Sequence, residues 1–383
     1  MNTYGVPKRV FVKGEGVHLW DVEGNQYLDL LGGIAASVLG HAHPVVVRAI
    51  TKQMSTLDVT SNFFSTPPQI ELAHKLASFV TANDPNVSAK VFFANSGTES
   101  NEAAFKISRM TGREKIVAME GAFHGRSMGS LAITWKPEFK EPFQPLPGDV
   151  QFVPFGDVDA LAAAVDEKTA AVVIEPIQGE SGIIVASDDF LQKAREIATA
   201  AGALLWFDEV QSGMGRTGTW LASTPSGVTA DIVTMAKGLG NGFPMGACIA
   251  TGAAGELLVP GSHGTTLGGN PVAAAAALAT IGEIEQHGLL ERATMLNSHL
   301  RVKITESNLF EIAAVRGRGL MLAIQLRAGI APEVVQAGLE AGFVINAPCK
   351  DVIRLLPPLI ITAEELESLV VALPDLMKTA RQY

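Results

Sequence analysis

One lysine of the sequence lies in a setting that favours chemistry over a surface role. Lys237, in the stretch TMAKGLGNGFPMGA, follows an apolar run and precedes a cluster of glycines. Most lysines at the end of a strand are exposed, because a charged ammonium group is rarely buried without a partner. Burial lowers the pKa of this group, and the neutral amine is a nucleophile toward carbonyl carbons. The setting of Lys237 therefore indicates a residue that forms a Schiff base.

A Schiff-base lysine suggests pyridoxal phosphate, and this cofactor needs an acid beside its ring nitrogen. The protonated ring is the better electron sink. Asp208 ends the apolar run ALLWFDEV, and a carboxylate behind such a run is unfavourable unless it is paired. A pyridinium would pair it. The alternatives are a strand end that faces solvent and, with the adjacent Glu209, a metal ligand.

A phosphate group needs backbone amide donors, and the start of a helix supplies them. The segment VFFANSGTESNEAAFKISRM places the turn Ser96, Gly97 and Thr98 between a predicted strand and a predicted helix. Ser96 and Glu99 have the spacing of a capping box. The segment predicts either a phosphate site or an ordinary capped helix.

Two arginines lie where a carboxylate of a substrate could bind. Arg126 belongs to the glycine-rich loop GAFHGRSMG, and Arg354 lies inside the apolar segment VIRLLPP, where a guanidinium needs an anionic partner. Glu175 and Glu180, in EPIQGESG, follow another predicted strand. All these residues come at the ends of predicted parallel strands, where α/β sheets bind their ligands.

Three further motifs suggest functions that their sequence context does not support. The stretch from Gly125 to Gly129 matches the GxSxG elbow of serine hydrolases, but the SLAITWKP that follows is β-like where the elbow needs a helix. GLGNGF fails the last position of the dinucleotide fingerprint. His41 and His43 in GHAHP have no further metal ligands nearby in the sequence, so we predict loop packing and no metal site.

The elements that position these residues are short apolar runs alternating with helical stretches. Strands that are apolar throughout are buried on both faces, and helices between them imply a mostly parallel α/β sheet. The predicted strands are KVFFAN (90–95), KIVAME (115–120), VQFVPF (150–155), AAVVIEP (170–176), ALLWFDE (203–209) and ADIVTMA (230–236). Asn270 is predicted to cap a helix that begins at Pro271.

The two ends of the chain differ from this central region. Residues 1–50 contain hairpin-like pieces, and residues 285–383 alternate strands with helices. We predict that both ends together form a smaller α+β domain, beside a large domain of residues 51–284.

Composition narrows the possible functions. The chain has 383 residues, 47% of them hydrophobic and 18% charged, and a net charge of −10 with a pI near 5.3. The acidic balance predicts no binding to nucleic acid or to an anionic membrane. Two cysteines do not make a disulfide scaffold. The N-terminal residues lack the apolar region of a signal peptide, and no apolar run approaches the ~18 residues of a membrane span. We expect a cytoplasmic location.

In chain order, these segments resemble the class III, fold type I aminotransferases that depend on pyridoxal phosphate. The motifs are GHAHP, NSGTESNEAAFKISR, GAFHGRS, EPIQGE, LLWFDEVQSGMGRTG, MAKGLGNGFPMGA, HGTTLGGNP and RLLPPLIIT. The compact length and the stretch GGIAASVLGHAHP are most similar to the acetylornithine branch of that family. The resemblance implies a homodimer with shared active sites.

The resemblance also assigns roles to single residues. Lys237 would hold the cofactor as a Schiff base and act as general acid and base, and Asp208 would hold the ring nitrogen. Around the cofactor, the implied binding residues are Phe123 and Val210 at the ring, Gln211 near its phenolic oxygen, Ser96, Gly97 and Thr98 at the phosphate, and Thr266 at the phosphate of the partner subunit's cofactor.

For the substrates, the resemblance implies N2-acetylornithine as amino donor and 2-oxoglutarate as acceptor. Arg126 would bind the carboxylate of the donor and the distal carboxylate of the keto acid. Arg354 would bind the α-carboxylate of glutamate, and Glu180 would cover it while the donor reacts. Thr265 would approach the substrate. Leu267 departs from the aromatic residue of many relatives.

Other reactions stay open at this stage. Succinylornithine, succinyldiaminopimelate, ornithine and 4-aminobutyrate are alternative donors, and an aminomutase of the same fold is an alternative reaction.

Overall fold

The computed structural model describes residues 1–382, which form one seven-stranded sheet, two four-stranded sheets and a two-stranded ribbon. The strands, in chain order, are β1 Phe11–Glu15, β2 His18–Asp21, β3 Gln26–Asp29, β4 Ala89–Ala94, β5 Lys115–Met119, β6 Asp149–Val153, β7 Thr169–Ile174, β8 Ile177–Gln178, β9 Ile184–Val185, β10 Leu204–Asp208, β11 Ile232–Met235, β12 Gly246–Thr251, β13 Ile312–Arg318, β14 Met321–Leu326, β15 Phe343–Val344, β16 Asn346–Cys349 and β17 Val352–Leu355.

The helices cover the faces of these sheets. The α-helices are α1 Gly32–Ala35, α2 Pro44–Met54, α3 Pro67–Val80, α4 Gly97–Arg109, α5 Met128–Ala132, α6 Pro137–Lys140, α7 Val158–Ala164, α8 Asp188–Ala201, α9 Pro271–Gln286, α10 Leu289–Glu306, α11 Ala331–Glu340 and α12 Ala363–Ala380. Short 3-10 helices span Glu141–Phe143, Thr224–Ser226, Lys237–Gly240 and Gly252–Glu256.

The seven-stranded sheet has the order β4-β12-β11-β10-β7-β5-β6. Strand β12 is antiparallel to both of its neighbours, and the remaining neighbours pair in parallel. Successive side chains of these strands pack into hydrophobic clusters on opposite faces of the sheet. Leu205 and Phe207 of β10 belong to one hydrophobic cluster, and Trp206 between them belongs to another. This double burial explains why the strands are apolar throughout, and it confirms the predicted mostly parallel α/β sheet.

Both ends of the chain contribute to the smaller sheets. Strand β15 pairs in parallel with β3, with Phe343 opposite Leu28. The other four-stranded sheet, β13-β14-β17-β16, comes from the C-terminal part alone. One hydrophobic cluster joins Leu30 near the N-terminus to Ile353 and Leu369 near the C-terminus. The predicted second α+β unit built from both ends is therefore confirmed, while its residue bounds stay a prediction.

Two local predictions have different outcomes. Asn270 caps α9 as predicted, and its side-chain oxygen accepts from the Ala273 amide at 2.9 Å. The prediction that SLAITWKP is β-like is wrong, because Met128–Ala132 form the short helix α5. Leu131 and Ala132 of that helix are buried, so tertiary packing overrides the local β preference. No helix within residues 1–382 is long and apolar enough to cross a membrane.

Candidate active site

A cavity of about 420 Å³ lies where the parallel strands β7, β10 and β11 end. Strand ends that point the same way bring distant parts of the sequence to one edge of a sheet. Predicted site residues on the cavity wall are Ser96, Gly97, Thr98, Phe123, Arg126, Asp208, Val210, Gln211 and Lys237. Residues predicted from separate motifs of the sequence therefore lie around one cavity.

Lys237 comes one residue, Ala236, after the end of β11 and begins a 3-10 helix. Its φ of 46° lies in the left-handed region, which is uncommon for a residue other than glycine and is found more often at active sites than elsewhere. Burial lowers the pKa of the Lys237 ammonium to about 8, although the Glu180 carboxylate acts in the opposite direction. About a tenth of the amine is therefore unprotonated at pH 7, far more than at the ordinary pKa.

Asp208 ends β10 and is 4% exposed. Its Oδ2 accepts from Asn101 Nδ2 at 2.8 Å and from His124 Nδ1 at 2.6 Å, and its Oδ1 accepts from the Val210 amide at 3.0 Å. A carboxylate has about four acceptor positions. These three bonds fix the carboxylate and leave room for one more donor.

Asn101 and His124 hold Asp208 in place, a role that was not predicted from the sequence. Asn101 Nδ2 also donates to the backbone oxygen of His124 at 2.6 Å, so Asn101 holds both Asp208 and the loop that carries His124. Asn101 comes four residues after Gly97 on α4, so both lie on one helix face. That spacing is the signal in the sequence that points to Asn101.

The start of α4 forms another part of the cavity wall. Ser96 Oγ accepts from the Glu99 amide at 3.3 Å, as predicted for a cap. The Glu99 carboxylate does not return to Ser96, because it accepts from the backbone and side chain of Asn95 at 2.7 and 2.8 Å. A Cβ on Gly97 would lie 2.6 Å from Val210 Cγ1. Only glycine allows Val210 to approach this helix start so closely.

These groups fit pyridoxal phosphate. The wall offers one amine of lowered pKa (Lys237), one fixed carboxylate (Asp208), the amides at the start of a 13-residue helix and the apolar side chains of Phe123 and Val210. They match the aldehyde, the ring nitrogen, the phosphate and the ring of the cofactor in turn.

Glu175 also lines the cavity, and it is 8% exposed. Burial, together with the charges of Asp208 and Glu180, raises the pKa of the Glu175 carboxyl well above its ordinary value. Its Oε2 is buried and hydrogen-bonds to no other residue in the range 1–382. A neutral Glu175 adds no third negative charge to the site of Asp208 and Glu180.

Arg354 and Glu180 lie behind the cavity wall, next to Gln211. Arg354 is 1% exposed, and its Nη1 donates to Glu180 Oε1 at 2.5 Å and to Gln211 Oε1 at 3.3 Å. Nε donates to Asn346 Oδ1 at 3.0 Å. Burial alone would raise the Glu180 pKa, but the guanidinium outweighs it and lowers the pKa below its ordinary value. The two side chains form a charged pair.

Arg126 is exposed at the mouth of the same cavity. Its guanidinium carbon lies 3.5 Å from the centre of the Phe139 ring and 5.7 Å from that of Phe123. The next residue ties the loop to α4, because the Ser127 amide donates to Thr98 Oγ1 at 3.2 Å. This serine also donates to Glu102 Oε1 at 2.5 Å, which differs from the setting of a hydrolase nucleophile.

Thr265 and Thr266 do not line this cavity. They border a second cavity of about 570 Å³, together with Asn62 and Phe63. Thr265 reaches the first cavity indirectly, since its Oγ1 accepts from Asn95 Nδ2 at 3.3 Å. Thr266 is exposed. Within one chain, the structure therefore separates Thr266 from the predicted cofactor residues.

Comparisons with known proteins agree with this geometry. The sequence profile of the family Aminotransferase class-III matches residues 2–377. The acetylornithine aminotransferase of Mycobacterium bovis is 53% identical over 380 residues, covering 99% of this chain and 94% of the relative. The crystal structure of ornithine aminotransferase from Toxoplasma gondii is 28% identical, with a TM-score of 0.92, and the match covers 100% of this chain and 93% of that one.

A second solved structure is the N-acetylornithine aminotransferase of Stenotrophomonas maltophilia. It is 33% identical, with a TM-score of 0.84, and the match covers 98% of this chain and 97% of that one. Family and fold together account for the amine, the carboxylate and the helix start at one cavity. The chain belongs to the class III aminotransferases, enzymes that use pyridoxal phosphate.

Proposed function

We propose that the protein transfers the δ-amino group of N2-acetylornithine to 2-oxoglutarate, giving N-acetylglutamate 5-semialdehyde and glutamate. This is a step of arginine biosynthesis. Relatives named acetylornithine aminotransferase, at 47–53% identity over nearly the whole chain, support this donor.

One observation carries the proposal, namely that Arg354 is paired with Glu180 while Arg126 is exposed at the cavity mouth. The δ-amino donor has no carboxylate beside the carbon that reacts, whereas glutamate has one. The same pocket must accept both. Glu180 covers the idle arginine in the first half-reaction and must release it in the second, while Arg126 stays available for a carboxylate in both.

Lys237 and Asp208 carry the proposed chemistry of each half-reaction. When bound, pyridoxal phosphate supplies a carbonyl carbon for the amine and a ring that withdraws electrons. Lys237 Nζ attaches the cofactor, and its pKa of about 8 lets the released amine take up and return a proton near neutral pH. Asp208, fixed by Asn101 and His124, is the group that would face the ring nitrogen.

We also propose that two copies of the chain share their active sites. Thr266 and Leu267 are exposed, and Phe63 beside the second cavity is 94% exposed. Large apolar side chains exposed together are typical of a protein interface. In the proposed dimer Thr266 reaches the phosphate site of the partner subunit. A cytoplasmic location stays a prediction.

A panel of half-reactions tests the donor. The pyridoxal form of the enzyme is mixed with N2-acetylornithine, N2-succinylornithine, succinyldiaminopimelate, ornithine or 4-aminobutyrate, and its conversion to the pyridoxamine form is followed by absorbance. We expect the largest kcat/KM for N2-acetylornithine. A much larger value for 4-aminobutyrate would show that the donor assignment is wrong. Lys237→Ala is the control, since it should abolish conversion with every amine.

A further inference from the structure

Phe139 contacts Arg126 although it lies outside the cavity wall. Its ring centre is 3.5 Å from the guanidinium carbon of Arg126, within the ~6 Å at which a cation is attracted to the face of an aromatic ring. The Phe123 ring meets Phe139 edge-on, with centroids 6.4 Å apart and planes at 90°. Phe139 therefore connects the proposed substrate arginine to the aromatic side chain predicted to stack on the cofactor.

The segment that carries Phe139 is anchored to the body of the protein. Lys140 Nζ donates to the backbone oxygen of Ala132 at 3.1 Å and lies 4.2 Å above the Phe152 ring. Trp135, at the start of the same segment, packs edge-on against Phe152 with ring centres 5.2 Å apart. These contacts fix the place of the Phe139 ring.

The contact with the Phe139 ring leaves the hydrogen-bonding groups of Arg126 free. A carboxylate partner would occupy the N–H groups at the edge of the guanidinium, as Glu180 does for Arg354. An aromatic ring instead covers the flat face and leaves the edge free for bidentate bonds to a carboxylate. Among residues 1–382, no carboxylate pairs with Arg126. Stacking restricts a long, exposed side chain without blocking its binding groups.

We propose that Phe139 is a positioning residue, which holds Arg126 oriented toward the substrate carboxylate and so favours carboxylated donors. This inference rests on the proposed function, because it takes Arg126 as the arginine that binds the carboxylate of N2-acetylornithine and the distal carboxylate of 2-oxoglutarate. Phe139 touches neither the reacting atoms nor the cofactor residues Lys237 and Asp208, so its effect should be on binding.

The test compares two donors that differ only in the carboxylate, N2-acetylornithine and N-acetylputrescine. Phe139→Leu keeps an apolar side chain and removes the ring. We expect the KM for N2-acetylornithine to rise about three- to fivefold, as for the loss of one exposed cation–π contact, with kcat unchanged. N-acetylputrescine should react as with the wild type. The Kd of glutarate, a dicarboxylate without a reacting group, should rise by the same factor in calorimetry.

Two matched variants complete the design. Phe139→Tyr keeps the ring and should restore the wild-type KM. Phe143→Leu removes an exposed phenylalanine of the neighbouring 3-10 helix. Phe143 has no ring or guanidinium contact in the described part of the chain, so this variant should leave the KM for both donors unchanged. Equal losses for both donors in Phe139→Leu, or an unchanged KM for N2-acetylornithine, would overturn the proposal.

Arg126→Met separates this inference from the function on which it rests. If Arg126 binds the carboxylate, this variant loses the preference for N2-acetylornithine over N-acetylputrescine. If the preference persists, the assigned role of Arg126 is wrong, and the proposal for Phe139 fails with it. If the preference is lost in Arg126→Met but kept in full in Phe139→Leu, only the inference about Phe139 fails.

Discussion

Arg354, behind the wall of the cavity, and Arg126, at its mouth, are held in opposite ways. Arg354 lies in strand β17, is 1% exposed and is paired with the carboxylate of Glu180. Arg126 lies in a loop, is exposed and rests against the ring of Phe139. A buried guanidinium needs an anionic partner at all times, either a protein carboxylate or a substrate that replaces it, because an unpaired buried charge is unfavourable. An exposed guanidinium is solvated and needs only to be oriented.

The difference shows how one pocket could handle two amino donors. In the proposed function, the site with the ion pair is closed until Glu180 moves, and it then binds a carboxylate next to the reacting carbon. The site with the aromatic ring is proposed to stay open for a carboxylate in both half-reactions. If this comparison is right, substitutions on the two sides should differ in size and in which substrate they affect.

The largest effect is expected at the buried site. Arg354→Met removes the guanidinium proposed to bind the α-carboxylate of glutamate, and losing one such buried charged contact costs about 3 kcal/mol of binding, or roughly 100-fold. It also leaves the Glu180 carboxylate without its partner, which lowers the stability of the fold. We expect kcat/KM for glutamate to fall by about that factor, with a smaller loss for N2-acetylornithine, measured in single half-reactions. The double variant Arg354→Met, Glu180→Gln is the control. It should recover the thermal stability of the wild type but not its kcat/KM for glutamate. Equal losses for both donors in Arg354→Met would contradict the assignment.

A smaller effect is expected at the exposed site. Arg126→Met should raise the KM for both N2-acetylornithine and 2-oxoglutarate about tenfold, because one charged hydrogen-bonded contact contributes about 1.5 kcal/mol. The melting temperature should stay close to that of the wild type, since the side chain is exposed. A large fall in the melting temperature of Arg126→Met, or a raised KM for one substrate alone, would contradict the proposed difference between Arg126 and Arg354.

The smallest effect concerns the titration of Lys237. Glu180 and Arg354 act on its pKa in opposite directions, and Arg126 is not among the groups with the largest effects on it. In the apoenzyme, modification of Lys237 by an amine reagent should rise through about pH 8. Removing the carboxylate in Glu180→Gln should shift this midpoint to lower pH, because a negative charge nearby favours the ammonium form. Arg126→Met should leave it in place, and an equal shift in both variants would contradict the comparison.

The pH dependence of stability has a defined sign for the same lysine. The folded-state pKa, about 8, lies below the ordinary value of 10.5, so between these values the unfolded chain binds more protons. Lys237 therefore opposes folding below pH 8, and this contribution fades as the pH rises from 8 to 10.5.

Local signals in the sequence predicted six of the seven strands of the large sheet, all but β12, and several of the residues that meet at the cavity. The apolar runs ending at Asp208 and just before Lys237 predicted both the strands and the residues at their ends, because chain direction alone gathers strand ends at one edge. The helix start at Ser96 was predicted from its capping residues.

Apart from the pair of Glu180 and Arg354, which the family resemblance implied, contacts between distant segments were not predicted. Phe139 meets Arg126 only because α5 and α6 fold back, and local β preference had predicted α5 wrongly. Asn101 reaches Asp208 across 107 positions of the chain, and no local pattern encodes such a pair. The position of Thr266 away from the cavity of its own chain likewise depends on packing, and its role in a partner subunit stays a prediction.

The most direct test of the whole account is the pair of half-reactions in Glu180→Ala. Glu180 is proposed to cover Arg354 while N2-acetylornithine reacts and to leave it when glutamate reacts. Single-turnover rates with each amine separate the two stages. The account predicts that the variant loses more activity with N2-acetylornithine than with glutamate. Equal losses in both half-reactions would contradict it.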